Sequence, residues 1–216
     1  MKVQAHSTSP VSLTLAIQTG ADLLTHCDIS GREPIPKATI QLIADRRLPR
    51  SALLTTTRYY DWVMSSLPPL YQEIIKAKDR NYRRLIAAGA VLVLATDAGL
   101  LGPKGDSNPL LGAMFAGAKD LPTHLGDAHL LWIKAAIERG MKPMAALLAG
   151  TRNVAQAYGQ LQDLGTLEVG QRADLVVLSA DPLADPDNYQ RIVDEDKDGV
   201  RVDRDRLPTR HLLTPP

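Results

Sequence analysis

The chain has 216 residues, 44% of them hydrophobic, which is enough for one large domain or for one domain with a small appendage. Its 25 basic and 24 acidic side chains give a formal charge of +1, which favours neither nucleic acid nor a membrane surface as a partner. The single cysteine, Cys27, excludes an intrachain disulfide framework and a cysteine-based zinc cluster. No apolar run is long enough for a transmembrane helix, and from the first residues we expect no signal peptide. The location stays open, with the cytoplasm as the default expectation.

Strand-like and helix-like segments alternate along the first part of the chain. Short apolar runs predict strands at residues 2–6, 21–26, 52–57 and 91–96. Helical patterns lie between them, at residues 11–19, 36–45 and 69–88. This alternation is typical of βαβ units, so we predict an α/β fold in which helices cover the outer side of a parallel sheet.

The pattern changes after the fourth predicted strand. Residues 99–109 are rich in glycine and proline, which predicts a long loop of a kind that often carries function. Two helical segments follow at 126–139 and 143–158, the second expected to break near Gly150, and short strands are expected at 173–179, 192–193 and 200–203. We therefore predict a first domain at residues 1–159, a small β appendage at 160–207 and a frayed tail at 208–216.

The stretch from Val91 to Gly99 joins a buried strand to an acid at its carboxyl end. In α/β folds, ligands bind at the carboxyl ends of parallel strands, so Asp97 is a candidate for chemistry. The alternative is an aspartate that serves the turn before Gly99. The residues of this stretch alone do not decide between the two.

His6, His26 and Asp97 share one feature, since each follows a predicted parallel strand. If the strands lie in one sheet, the three side chains face a common mouth. Two imidazoles and a carboxylate suit a borderline divalent metal such as zinc, which would activate water while Asp97 carries the proton to a leaving group. Each histidine taken alone could instead be simply hydrogen-bonded.

The motifs around these residues resemble the metal-dependent amidohydrolase superfamily, in the group near imidazolonepropionase and the Xaa-Pro dipeptidases. Residues 3–6 resemble the fifth barrel strand of that family, 20–26 the sixth and 94–99 the eighth. Residues 140–155 and 164–178 resemble its C-terminal signature, which is highly specific.

The resemblance implies a partial TIM-like (β/α) barrel, formed by strands five to eight of the family pattern, with a small C-terminal β-sandwich appendage. It implies that His6, His26 and Asp97 are metal ligands and that Asp97 is also catalytic. The cofactor it implies is a divalent metal, zinc before others, with one or two ions in the complete family site. The implied reaction is hydrolysis of a carbon–nitrogen bond, in a cyclic amide or small peptide-like substrate, by a metal-bound hydroxide.

The family's His-x-His motif and its fourth-strand lysine or glutamate have no counterpart in this sequence. The resemblance therefore covers the C-terminal half of the family pattern. An alternative is a catalytically inactive fragment, or one part of a split amidohydrolase that needs the N-terminal half. In both cases two sheet edges lack partners, which predicts self-association through these open edges, or aggregation.

Two further side chains are weaker candidates for substrate contact. His129 begins a helix after the long loop, where a histidine is more often structural. Tyr59 follows the third predicted strand and could touch substrate or pack in the core. Cys27 adjoins His26, but strand alternation points its thiol away from the mouth, which favours a buried apolar role.

Overall fold

The computed structural model describes residues 2–28, 31–99, 114–115 and 117–207. Its first sheet has four strands in sequential order, with parallel pairing throughout. The strands are β1 (Gln4–His6), β2 (Leu23–Thr25), β3 (Arg50–Ser51) and β4 (Leu92–Val93). The predicted mixed α/β fold with a parallel sheet is confirmed.

Helices connect and cover these strands. In chain order they are α1 (Pro10–Gln18), α2 (Lys37–Asp45), α3 (Thr57–Ser66), α4 (Pro69–Ala87), α5 (Ala128–Glu138), α6 (Pro143–Gly150) and α7 (Arg152–Tyr158). The α1 helix begins with a reciprocal capping box, in which the Ser9 hydroxyl accepts the Ser12 N–H and the Ser12 hydroxyl accepts the Ser9 N–H. The helical segment that was expected to break near Gly150 does so, between α6 and α7.

The third strand lies earlier in the chain than predicted. The ladder forms at Arg50 and Ser51, not over residues 52–57. Thr57 instead begins the unpredicted helix α3, because the Thr56 hydroxyl accepts the Tyr59 N–H at 3.1 Å and caps the first turn. The helix N-cap at Thr56 therefore decides the structure from Thr57 onwards, although the preceding residues have a strand-like pattern.

Both faces of the parallel sheet are buried. Leu24 and Leu92 are 0% and 2% exposed and belong to the main core, which the helices cover. Leu23 and Val93 form a smaller cluster on the opposite face with Ala157 of α7. Fully burying such side chains stabilises a fold by roughly 1.5–3 kcal/mol each, so much of the stability resides here.

The outer edge of β4 is partly closed by the two helices that follow α5. The Leu92 carbonyl accepts a hydrogen bond from Asn153 Nδ2 at 3.0 Å, and the Leu94 N–H donates to the Ala149 carbonyl at 2.9 Å. These backbone groups would otherwise be unpaired at the sheet edge. Of the two edges expected to be open, the one at β4 is therefore protected at these positions, and β1 forms the other edge of the described sheet.

A second sheet is antiparallel and comprises β5 (Leu175–Leu178), β6 (Ile192–Lys197) and β7 (Val200–Arg201). A short 3₁₀ helix, Pro186–Gln190, packs this region on α5. Its Tyr189 joins the main core, and Lys134 Nζ of α5 lies 2.6 Å from Asp187 Oδ1.

Some predictions fall outside the described residues. They are the prediction of a long functional loop beyond residue 99 and the prediction of a frayed tail at 208–216. Within the described ranges, no helix combines the length and apolar character that crossing a bilayer requires. The domain boundary near Gly159, which ends α7 with φ of 73°, stays a prediction.

Candidate functional site

The structure brings His6, His26 and Asp97 together at the carboxyl ends of the parallel strands. His6 is the last residue of β1, His26 directly follows β2, and Asp97 lies shortly beyond β4. The rings of His6 and His26 have centroids 4.4 Å apart, and His26 Nε2 lies 3.1 Å from Asp97 Oδ2. The three side chains therefore converge as the sequence predicted.

The backbones of His26 and Asp97 share a rare conformation. Their φ angles are 53° and 48°, in the left-handed region that residues other than glycine seldom adopt. Such conformations cost on the order of 1–3 kcal/mol and persist only where surrounding contacts hold them, often at functional sites. On the Asp97 side, the Gly99 N–H donates to the Thr123 carbonyl at 2.9 Å.

A cavity of about 220 Å³ adjoins these three side chains. Its apolar wall includes Leu23, Val93 and Val154. Its polar wall includes two residues that were not predicted, Gln4 and Tyr158, whose Oε1 and hydroxyl lie 3.3 Å apart. The arrangement offers a carboxylate and two imidazoles beside a pocket for a small apolar group.

The two unpredicted residues differ in how far the sequence signals them. Gln4 precedes His6 by two positions on β1, so strand alternation places both on one face. Tyr158 reaches the cavity because α7 packs under the sheet, and no local pattern in the sequence indicates that contact.

The donor types at the site suit a divalent metal, since imidazole and carboxylate are common zinc ligands. The 3.1 Å separation of His26 Nε2 and Asp97 Oδ2 is close to the roughly 3.4 Å expected for two ligand atoms of one tetrahedral ion. Over the described ranges, however, no group of three His, Cys, Asp or Glu side chains is arranged to hold an ion. The spacing of His26 and Asp97 is compatible with a pair of donors, and the metal roles of His6, His26 and Asp97 all stay predictions.

His129 and Tyr59 lie apart from the cavity lining. His129 is exposed in the first turn of α5. Tyr59 is 5% exposed and packs with Val63 and Leu67, and its burial raises the pKa of the phenol to about 12. Contact of either side chain with substrate stays a prediction.

Cys27 is fully buried, as expected from strand alternation. Its thiol donates to the Ser51 carbonyl at 3.1 Å. Burial raises the pKa of the thiol to about 12, so at neutral pH it is protonated and a poor metal ligand.

Comparisons with known proteins identify a family and several relatives. A sequence model described as the amidohydrolase family matches residues 23–204. Imidazolonepropionase of Geobacillus sp. (strain WCH70) is 31% identical over 131 residues, which cover 61% of this chain and 25% of that protein. Adenine deaminase 3 of Rhizobium meliloti (strain 1021) is 41% identical over 58 residues, covering 26% of this chain and 10% of that protein.

Two solved structures superimpose on nearly the whole chain. The structure of molinate hydrolase gives a TM-score of 0.85 at 36% identity, covering 98% of this chain and 44% of that one. The structure of phenylurea hydrolase B gives 0.85 at 30% identity, covering 100% of this chain and 46% of that one. The chain thus spans less than half the length of these proteins, and the matches confirm the resemblance predicted from the motifs.

Proposed function

Because the chain belongs to the amidohydrolase family, we propose that it hydrolyses a carbon–nitrogen bond. The observation that carries the proposal is the convergence of His6, His26 and Asp97 on one cavity. The proposed substrate is a cyclic amide or a small peptide-like molecule, which suits a cavity of about 220 Å³ with one apolar wall. The names of the similar hydrolases, which specify molinate and phenylurea, support a small-molecule substrate.

The proposal includes the architecture around the site. We propose that the four parallel strands are half of a (β/α) barrel and that the second sheet is part of a β-sandwich. The TM-scores of 0.85 against chains of which this one covers 44% and 46% support that assignment. The sequential strand order with helical crossovers supports it independently.

In the proposed reaction, water adds to the carbonyl carbon and the bond to nitrogen breaks, giving an acid and an amine. Asp97 accepts the proton from the attacking water and delivers it to the leaving nitrogen. His26, whose Nε2 lies 3.1 Å from Asp97 Oδ2, keeps that carboxylate beside the cavity. A divalent metal, when held by His26 and Asp97, would supply Lewis acidity and lower the pKa of water.

The test is the hydrolysis of a panel of cyclic and peptide-like amides by the purified chain with added zinc. Asp97→Asn should lower the turnover rate by roughly 10²–10⁴-fold, because the proton acceptor is lost. Asp61→Asn, at an exposed position on α3, is the matched control and should leave the rate unchanged. Equal rates for wild type and Asp97→Asn would rule out the proposed role.

One observation favours a second candidate. Because the described residues hold no three-donor metal arrangement, the chain could be an inactive fragment or one part of a split amidohydrolase that needs the N-terminal half. This alternative predicts no turnover by the wild-type chain at saturating zinc. Measurable turnover that Asp97→Asn abolishes would exclude it.

A further inference from the structure

Directly after His26 the chain enters the interior rather than the solvent. Cys27 and Asp28 are both 0% exposed. The Cys27 N–H and thiol both donate to the Ser51 carbonyl of β3, at 3.2 and 3.1 Å. These two bonds attach the residue after His26 to the neighbouring strand.

Helix α4 holds the next residue of the same segment. Lys78 Nζ lies 3.0 Å from Asp28 Oδ2, and the Lys78 side chain is only 13% exposed. Asn81, one turn further along α4, donates from Nδ2 to the Asp28 carbonyl at 3.2 Å and accepts the Ile35 N–H at 3.0 Å. Lys78 supplies the compensating charge for this buried carboxylate, whose two oxygens have no hydrogen-bond partner in the described part of the chain.

We propose that the Asp28–Lys78 pair is a positioning device for His26, an inference that rests on the proposed function. His26 keeps its left-handed backbone, with φ of 53°, because the chain after it is fixed on two sides. Without the Lys78 contact, the described hydrogen bonds hold Asp28 on α4 only through Asn81 and the Asp28 carbonyl, and the backbone of His26 relaxes towards the commoner region. That rotation carries the imidazole away from Asp97 and from the cavity.

A second internal ion pair on α4 provides a matched control. Asp79 adjoins Lys78 in sequence but pairs with Arg139, whose side chain is 1% exposed. Asp79 has no contact with Asp28 in the described hydrogen bonds and ion pairs. Loss of this pair therefore weakens the fold at α4 without freeing the segment after His26.

The experiment compares Lys78→Met, Lys78→Arg and Asp79→Asn in the 216-residue chain, at a temperature where circular dichroism shows each to be folded. Zinc affinity is measured by competition with a chromophoric chelator, and the His26 ring signals by NMR of histidine-labelled protein. Lys78→Met should weaken zinc binding roughly 10–100-fold, as for other residues that orient a metal ligand, and shift the His26 signals. Lys78→Arg should restore both readouts, and Asp79→Asn should change neither.

Each outcome bears on the proposal. Unchanged zinc affinity and unchanged His26 signals in Lys78→Met would overturn it. If the wild-type chain binds no zinc, the proposed metal role fails, and the His26 signals alone decide the positioning role. If Lys78→Met does not fold, the Asp28→Asn, Lys78→Met double variant leaves no buried charge unpaired, and the same displacement of His26 is expected.

Discussion

The two sheets of this protein differ in how they are stabilised. In the parallel sheet, Leu24 and Leu92 are 0% and 2% exposed. In the antiparallel sheet, Val176 and Val193 are 59% and 56% exposed, although both belong to strands. Since burial of apolar surface is the main favourable term in folding, the parallel sheet carries most of the stability. The antiparallel sheet depends on its attachment to the rest of the molecule.

That attachment is made by the short 3₁₀ helix and by α5. Tyr189 is 8% exposed within the main core, and Lys134 pairs with Asp187 across the contact. The Lys134–Asp187 pair is partly solvated, so it adds little to stability. The comparison therefore predicts that mutations under the parallel sheet change the unfolding free energy strongly. Mutations on the exposed face of the antiparallel sheet should change it little.

The largest effect is expected at Trp132 of α5. This side chain is 1% exposed, and its indole N–H donates to the Ala52 carbonyl beside β3 at 2.8 Å. Trp132→Ala should lower the free energy of unfolding by roughly 3–5 kcal/mol, because it leaves a cavity and an unpaired carbonyl. Urea denaturation measures the change. An unaltered urea midpoint for Trp132→Ala would show that Trp132 does not lie at the centre of the core.

A pH-dependent effect is expected from Tyr59, in the separate cluster that it forms with Val63 and Leu67. Burial raises the pKa of this phenol to about 12 from an ordinary 10. The unfolded chain therefore releases this proton first, so the contribution of Tyr59 to stability is full below pH 10 and is lost as the pH rises towards 12. The slope is at most roughly 1.4 kcal/mol per pH unit. The unfolding free energy, measured by urea denaturation over that pH range, should fall less steeply with pH for Tyr59→Phe than for wild type. Identical slopes for the two proteins would contradict the burial of the Tyr59 hydroxyl.

A smaller effect is expected at Tyr189, in the attachment. Its hydroxyl is buried and has no hydrogen-bond partner in the described part of the chain. Tyr189→Phe should therefore raise the free energy of unfolding, by about 1 kcal/mol, because an unsatisfied polar group is removed. Thermal denaturation checks the sign. A clear loss of stability would show that the hydroxyl has a partner.

The smallest effect on stability is expected from a double change of Val176 and Val193 to threonine. Both side chains are more than half exposed, so the change in unfolding free energy should stay within about 0.5 kcal/mol.

We propose that the chain self-associates through the open edge at β1. The same double variant distinguishes this edge from the antiparallel sheet as the surface of self-association. Sedimentation velocity should show oligomers of wild type and variant alike. Oligomers that disappear in the variant would assign the contact to the antiparallel sheet instead.

The sequence predicts the parallel sheet and the three residues that meet at its carboxyl edge, because both depend on local patterns. His6, His26 and Asp97 each follow an apolar run, so strand order alone brings them to one edge. The sequence does not reveal α3, whose start depends on the Thr56 cap, or the contact of Tyr158 with the cavity. Nor does it indicate that Lys78 pairs with Asp28, since that contact joins segments 50 residues apart whose relative placement depends on tertiary packing.

The central claim is that His26 and Asp97 form a metal-binding pair at the carboxyl ends of the parallel strands. Isothermal titration of zinc into the wild-type chain, His26→Ala and His129→Ala tests it most directly, because His129 is an exposed histidine away from the cavity. We expect binding to wild type and to His129→Ala with the same affinity, and none to His26→Ala. Equal binding by all three proteins, or binding lost only in His129→Ala, would contradict the claim.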